Sequence, residues 1–321
     1  MKTFLKLSSK TLRQIAATLT VLVTVAIGTA LLLTSHAATP FLSAEPEAGT
    51  RTGAATVIAD TTASGSSALK FTTDTTGFQA NCIAKPSVCG YPDATNTGIP
   101  AGTTLTNSGC VTVNTNGATV QNLNIADCNI TVNANNVTIK NVKISGCTYY
   151  PIDYSGHTGL VIQDTEINST CSQTTAGMSF DNYTAIRMHV HGTADGFKAN
   201  NNVTIRDSYI HDLWVTADSH NDGTQSTGGS AVTLTHNTYD VGTGGVCIQF
   251  GSSDSGWNVA DNLFHCNGWA INGGTSVNSS SFTNNRFARV AGGYGPASFG
   301  GSNITWTGNY YDDTGAAITS H

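Results

Sequence analysis

The stretch R-M-H-V-H-G-T-A-D-G-F-K-A-N-N-N-V-T-I-R-D-S-Y-I-H-D-L-W-V-T-A-D-S-H-N-D-G-T-Q, Arg187 to Gln225, decides how the rest of the chain is read. It gathers four histidines (His189, His191, His211, His220), five acids (Asp195, Asp207, Asp212, Asp218, Asp222) and three bases (Arg187, Lys198, Arg206) in a chain that is only 11% charged. Chemistry, if the chain performs any, is concentrated here. The stretch also contains one pattern twice, since Asp195-Gly196-Phe197-Lys198 returns as Asp222-Gly223-Thr224-Gln225. The cluster therefore belongs to a repeat architecture.

Outward from this stretch the repeat continues in both directions. Short alternating segments read V-Q-N-L-N-I (120–125), I-K-N-V-K-I (139–144), I-Q-D-T-E-I (162–167), I-R-D-S-Y-I (205–210), T-N-N-R-F (283–287) and T-G-N-Y-Y (307–311). Aligning their last apolar residue gives Ile125, Ile144, Ile167, Val190, Ile210, Tyr239, Phe264, Phe287 and Tyr311, with steps of 19, 23, 23, 20, 29, 25, 23 and 24 residues. A period near 23, built of period-2 alternation with no segment of helical period, predicts an all-β parallel β-helix of about nine coils. Each coil holds three short strands and rises ~4.8 Å to the next, so the rod would be roughly 40 Å long. A propeller would need about 40 residues per blade. Asn237, Asn262, Asn285 and Asn309 recur two residues before the aligned position, which predicts a ladder of stacked side chains at one bend, tolerant of a left-handed backbone.

Composition agrees with this reading. The chain has 321 residues, 34 glycines and 7 prolines, and its 39% hydrophobic share excludes a multi-span membrane protein while allowing a thin core. Residues 1–37 read as a signal peptide or an uncleaved membrane anchor: Lys2, Lys6, Lys10 and Arg13 precede an apolar run from Ile15 to Leu33 and a small-x-small Ser35-His36-Ala37. Either reading places the remainder outside the cytoplasm, secreted or tethered to the cell surface. Removing the segment moves the formal charge from −6 to −10, which argues against nucleic acid as a partner. A monomer is expected.

Eight cysteines in an exported chain predict four disulfides. Residues one repeat apart should lie one above the other, and the spacing favours Cys82–Cys89, Cys110–Cys128, Cys147–Cys171 and Cys247–Cys266, the first and last above all. Residues 38–80 read as a strand-rich spacer. Cys82 to Thr106, with its prolines, glycines and close cysteine pair, reads as a cap that closes the first repeat of a 81–321 β-helix.

From Cys110 to the C-terminus, the recurring segments and the asparagine column resemble the right-handed parallel β-helices of the pectate-lyase-like superfamily. P-D-A-T-N-T-G-I-P-A-G-T (92–103), D-S-Y-I-H-D-L (207–213) and S-H-N-D-G-T-Q (219–225) resemble uncharacterised secreted bacterial β-helix repeat proteins most closely. Phe41 to Asp74, with its A-E-P-E start and A-S-G-S-S-A-L-K-F run, resembles the opening strands of carbohydrate-binding sandwich modules but is too short to be one. Asp195-Gly196-Phe197-Lys198 and Asn221-Asp222-Gly223 loosely resemble pieces of calcium-dependent pectate lyases that use a lysine base. Of the polygalacturonase hydrolase motifs only N-T-D-G has an echo, in Asn221-Asp222-Gly223, and the Y-G-F-D-P-H of mannuronan epimerases is absent.

In the repeat register Phe197, Thr224 and Ile248 face inward, so Lys198, Gln225 and Gln249 fall in one outward column. The turns entering that strand are the long ones, and they bring His191, Asp195, His211, Asp218, His220 and Asp222 to the same edge. The resemblance implies a polysaccharide partner and a lyase acting on a uronic-acid glycan by β-elimination. Ca²⁺ held by Asp195, Asp218 and Asp222 would acidify the proton beside the carboxylate, Lys198 or His220 would remove it, and His191, His211, Gln225 and Gln249 would bind sugar. Hydrolysis by paired aspartates and non-catalytic glycan binding by a surface adhesin are the alternatives. The bland readings stand beside these. Asp195 and Asp222 each precede Gly and could shape a turn, Arg187 and Asp207 one coil apart read as a stacked ion pair, and His189 and Tyr209 read as surface packing.

Overall fold

The computed structural model describes residues 55–59, 67–71 and 78–321 apart from 172, 216–220, 243–244 and 275–276. The segment 1–37, Asp218 and His220 lie outside the described residues. The chain falls into two units, Met1–Gly77 and Phe78–His321. In the first, Ala55–Ala59 pairs antiparallel with Ser67–Phe71. Among the described residues no helix is long and apolar enough to cross a membrane.

The second unit is a right-handed parallel β-helix of about eight turns. One coil shows how the sequence makes it. Leu160–Gln163 alternates buried and half-buried, Asp164 takes φ 51°, and the alternation resumes in Glu166–Ser169 on a second face. After a turn, Ala176–Met178 forms the third face and Tyr183–Ile186 starts the next coil beside Leu160–Gln163. The bends demand a left-handed backbone, so Asn, Asp or Gly usually supplies it. Three residues before each aligned apolar position stand Asn122, Asn141, Asp164, Arg187, Asp207, His236, Asp261, Asn284 and Gly308, all at positive φ.

The aligned apolar column pairs as read from the sequence: Ile125, Ile144, Ile167, Val190, Ile210, Tyr239, Phe264, Phe287 and Tyr311 are consecutive rungs of one sheet. The stack turns from aliphatic to aromatic at Tyr239, whose ring lies 5.3 Å from that of Phe264. The asparagine ladder also holds. Asn237 Nδ2 donates to Asn262 Oδ1 (3.0 Å), Asn262 to Asn285 (3.0 Å) and Asn285 to Asn309 (3.1 Å), all buried. One detail differs. The left-handed residue is the one before each ladder asparagine, which itself turns inward to satisfy backbone groups that the bend strips of partners.

All four disulfides form in the expected pairing, with Cα separations of 5.7, 5.1, 5.4 and 5.7 Å. The last joins adjacent coils inside the core, where Cys247 and Cys266 are buried.

The segment read as a cap over the first coil takes another course. The Asn81 and Cys82 amides bond Asp312 in the last coil, Tyr91 stacks on His236 (5.6 Å) and the Gly98 amide donates to Arg187 O (2.9 Å). Residues 78–98 thus run as a strap along the outside of the second face, from the last coils towards the first, before Thr106–Ser108 pairs with Thr119–Ala126. Burial explains the course: Cys82, Tyr91 and Leu263 form an apolar cluster of their own, which covers side chains that the second face would otherwise expose. Gly98, at φ +70°, is needed there, because a Cβ would stand 3.0 Å from the Cβ of His189.

Candidate functional site

The third face carries the predicted column. Phe197, Thr224 and Ile248 stack inward, and Lys198, Gln225, Gln249, Asn272 and Ser298 follow one another on the outer side. The two Asp-Gly pairs occupy the same place on neighbouring coils. Their glycines are not turn formers: Gly196 and Gly223 lack positive φ, and a Cβ on either would meet the next coil's carbonyl oxygen at 2.4 or 2.7 Å. Close coil approach is what excludes a side chain there.

These residues close into one polar ring. The Lys198 ammonium donates to Asp195 Oδ2 and to Gln225 Oε1, Gln225 Nε2 donates to Asp222 Oδ2 (2.8 Å), and the Asp222 amide donates to Asp195 Oδ1 (2.9 Å). The alternation placed Lys198 outside the core, yet it is only 8% exposed, with Asp195 at 4% and Asp222 at 3%. Beside the ring, the side chain of Asn221, which immediately precedes Asp222, donates from Nδ2 to Trp214 O and to Ala194 O (3.3 Å). Burial, and behind it the charge of Asp195, raises the Asp222 carboxyl from 3.8 to about 7, against the opposing pull of Gln225 and Lys198.

Beyond the ring the column opens. Gln249 Oε1 accepts from Asn272 Nδ2 (2.8 Å), and a cleft of about 290 Å³ is lined by Val246, Asn267, Trp269, Asn272 and Tyr294. Trp269 and the exposed Tyr294 have ring centroids 6.1 Å apart. An apolar plate beside amide and hydroxyl groups suits a ligand with apolar faces and a hydroxylated edge. The motif reading missed these aromatics, which carry no spacing signal.

His191 and His211, expected on the same edge, form another group. They project from the second face in register, beside His189, whose Nε2 lies 2.7 Å from Nε2 of His211. The three rings stack with centroids 4.8 to 5.0 Å apart, and Tyr209 closes the stack at 4.3 Å from His211. Glu166 lies beside them. It accepts from Lys143 (2.8 Å) and contacts His191 (3.4 Å), and these two contacts, His191 first, hold its carboxyl down at about 2. Burial, then the neighbouring His211 and His191, lowers His189 to about 4. The H-x-H at 189–191, one coil before Y-x-H at 209–211, was the available signal.

Arg187 departs from its expected partner. Its Nε and Nη2 bond the carboxylate of Asp164 one coil earlier (2.6 and 2.9 Å), while Asp207 is taken by Arg206 and His236. A bend residue has a neighbour above and below, and the paired geometry with Asp164 satisfies the guanidinium fork.

Set against protein-family models, curated proteins and solved structures, the chain finds no match in any of the three. Fold and covalent framework together define its class: an all-β, right-handed parallel β-solenoid held by four disulfides. Such a disulfide set fits an extracellular protein.

Proposed function

We propose that this chain is an extracellular polysaccharide-active protein of the pectate-lyase-like kind, which takes a uronate-containing glycan along the third face and cleaves it by β-elimination. The observation that carries the reading is Asp222: a carboxyl raised to about 7, in a ring with an ammonium group, at one end of a column that opens into an aromatic-lined cleft. β-Elimination needs a group that takes the proton beside the uronate carboxylate and a positive charge that steadies the carboxylate as that proton leaves. Asp222 suits the first task near neutral pH, and Lys198 the second.

Lys198 lies between Asp195 and Gln225 as their hydrogen-bond donor, so its role here is that of a cation and not of a base. The same ammonium fills the space beside Asp195 Oδ2 that a Ca²⁺ held by Asp195 and Asp222 would claim, and the third expected ligand, Asp218, is outside the described residues.

Burial favours a second reading. Lys198 and Asp222 are covered and internally paired, as structural groups are, and in that case glycan is only held on Gln249, Asn272, Trp269 and Tyr294.

The test is a screen of uronate-containing and neutral polysaccharides, with and without Ca²⁺, read three ways. Ultraviolet absorbance from an unsaturated uronate end, abolished by Asp222→Asn, supports the lyase. New reducing ends without that absorbance mean hydrolysis, binding without either product means an adhesin, and no binding to any glycan defeats the proposal.

A further inference from the structure

We propose that His189, His191 and His211 are the protein ligands of a divalent transition-metal ion, zinc by its chemistry, on the second face of the solenoid. The site is separate from the third-face ring and does not depend on the glycan reading.

Convergence is the first argument. One ring nitrogen from each histidine lies within 4.8 Å of the other two. Around an ion with Zn–N bonds of about 2.0–2.1 Å, neighbouring nitrogens of a tetrahedral site stand about 3.4 Å apart. His189 and His211, now at 2.7 Å, would part slightly and His191 would move in, which are side-chain adjustments only. The backbone is already fixed. His189 and His191 flank the buried Val190, His211 follows the buried Ile210, and the two strands pair His191 with His211 directly. Three ligands on adjacent rungs of a rigid sheet are preorganised in a way that loop histidines are not.

The surroundings of the three rings supply the rest. Asp212 Oδ2 lies 2.8 Å from His211 Nδ1, so Nδ1–H is donated to the carboxylate and Nε2 is left as the ligand atom, the carboxylate–histidine arrangement that orients metal-bound imidazoles. The Glu166 carboxylate, which accepts from Lys143 Nζ (2.8 Å), stands 3.4 Å from His191 as a fourth neighbour. Tyr209 and the strap at Gly98 wall the group on two sides.

Ligand chemistry selects the ion. Three imidazoles favour zinc, copper or nickel over calcium or magnesium, which prefer oxygen. Every cysteine is in a disulfide, so no thiolate competes for it.

The experiment uses the untagged full chain, stripped with a chelator and titrated calorimetrically with ZnCl₂ at pH 7.5. One equivalent should bind. His189→Ala and His211→Ala should each weaken binding about 100-fold or more, and Asp212→Asn about 10-fold, as expected for a residue that orients a ligand. Co²⁺ in place of Zn²⁺ should give visible absorption bands of four-coordinate nitrogen ligation, absent in both alanine variants. His265→Ala, which removes an outward histidine bonded to Asp240 one coil further along, should leave affinity unchanged. Near-ultraviolet circular dichroism reports whether each variant folds, and His189→Gln replaces any that does not. Absence of stoichiometric binding by the folded wild-type chain overturns the site. So does binding that survives both His189 and His211 substitution.

Discussion

Removal of one ladder side chain, Asn262→Ala, tests what holds the coils together. Asn262 is fully buried and serves four neighbours. Its Oδ1 accepts from the Asn237 amide (2.9 Å) and Nδ2 (3.0 Å), and its Nδ2 donates to Leu234 O (2.8 Å), Ala260 O (3.0 Å) and Asn285 Oδ1 (3.0 Å). After truncation Asn237 Nδ2 keeps Ile205 O, and Asn285 Oδ1 keeps the amide of residue 262. The Asn237 amide keeps nothing, and a buried donor left unsatisfied costs about 1–3 kcal/mol. Two or three further neutral hydrogen bonds at about 1 kcal/mol each bring the expected loss to about 3–6 kcal/mol. Asn133→Ala is the matched control. It deletes a side-chain bond to Asn114 (3.1 Å) between coils, but at an exposed site where water replaces it, and should cost under about 0.5 kcal/mol. Guanidinium unfolding with the disulfides intact gives the two numbers. Hydrogen exchange at the Asn237 amide locates the loss, since a solenoid can open locally. A loss below about 1 kcal/mol for Asn262→Ala, or equal losses for both, refutes the account.

Three other outcomes follow from named groups. Arg286→Met removes the guanidinium that joins the buried Asp312 to Gln79 O; it should destabilise by about 3–5 kcal/mol and expose the strap, read as faster proteolysis within 78–98. Asp222 carries a pH signature: its folded value is raised to about 7 above 3.8, so its contribution is fullest below the unfolded value and is lost as pH rises through 7. Asp222→Asn, which cannot ionise, should therefore gain on the wild type by on the order of a few kcal/mol between pH 4 and pH 8, and a difference independent of pH in unfolding titrations would contradict the raised value. Replacing Cys247 and Cys266 together by Ser opens the cross-link between adjacent coils, which spans 19 residues, and should lower stability in denaturant by about 3 kcal/mol.

What the sequence determined by itself was whatever repeats along the chain. A parallel coil places residue i over the equivalent residue one period later, about 4.8 Å away, so a column of like residues in the sequence is a column in space. That rule made the apolar stack from Ile125 to Tyr311, the asparagine ladder, the disulfide pairing and the Lys198–Gln225–Gln249 column legible. Tertiary structure decided whatever depends on which chain covers a face. Alternation says that Lys198 points away from the core, but it is buried, bonded to Asp195 and to Gln225 of the next coil. Period-2 spacing puts His189 and His191 outward on one strand, but pairing with the next rung brings His211 to them. The bond from the Cys82 amide to Asp312 spans 230 residues and carries no mark in any repeat. Covering contacts of that kind are fixed by surface area buried between distant segments, and local period does not encode them.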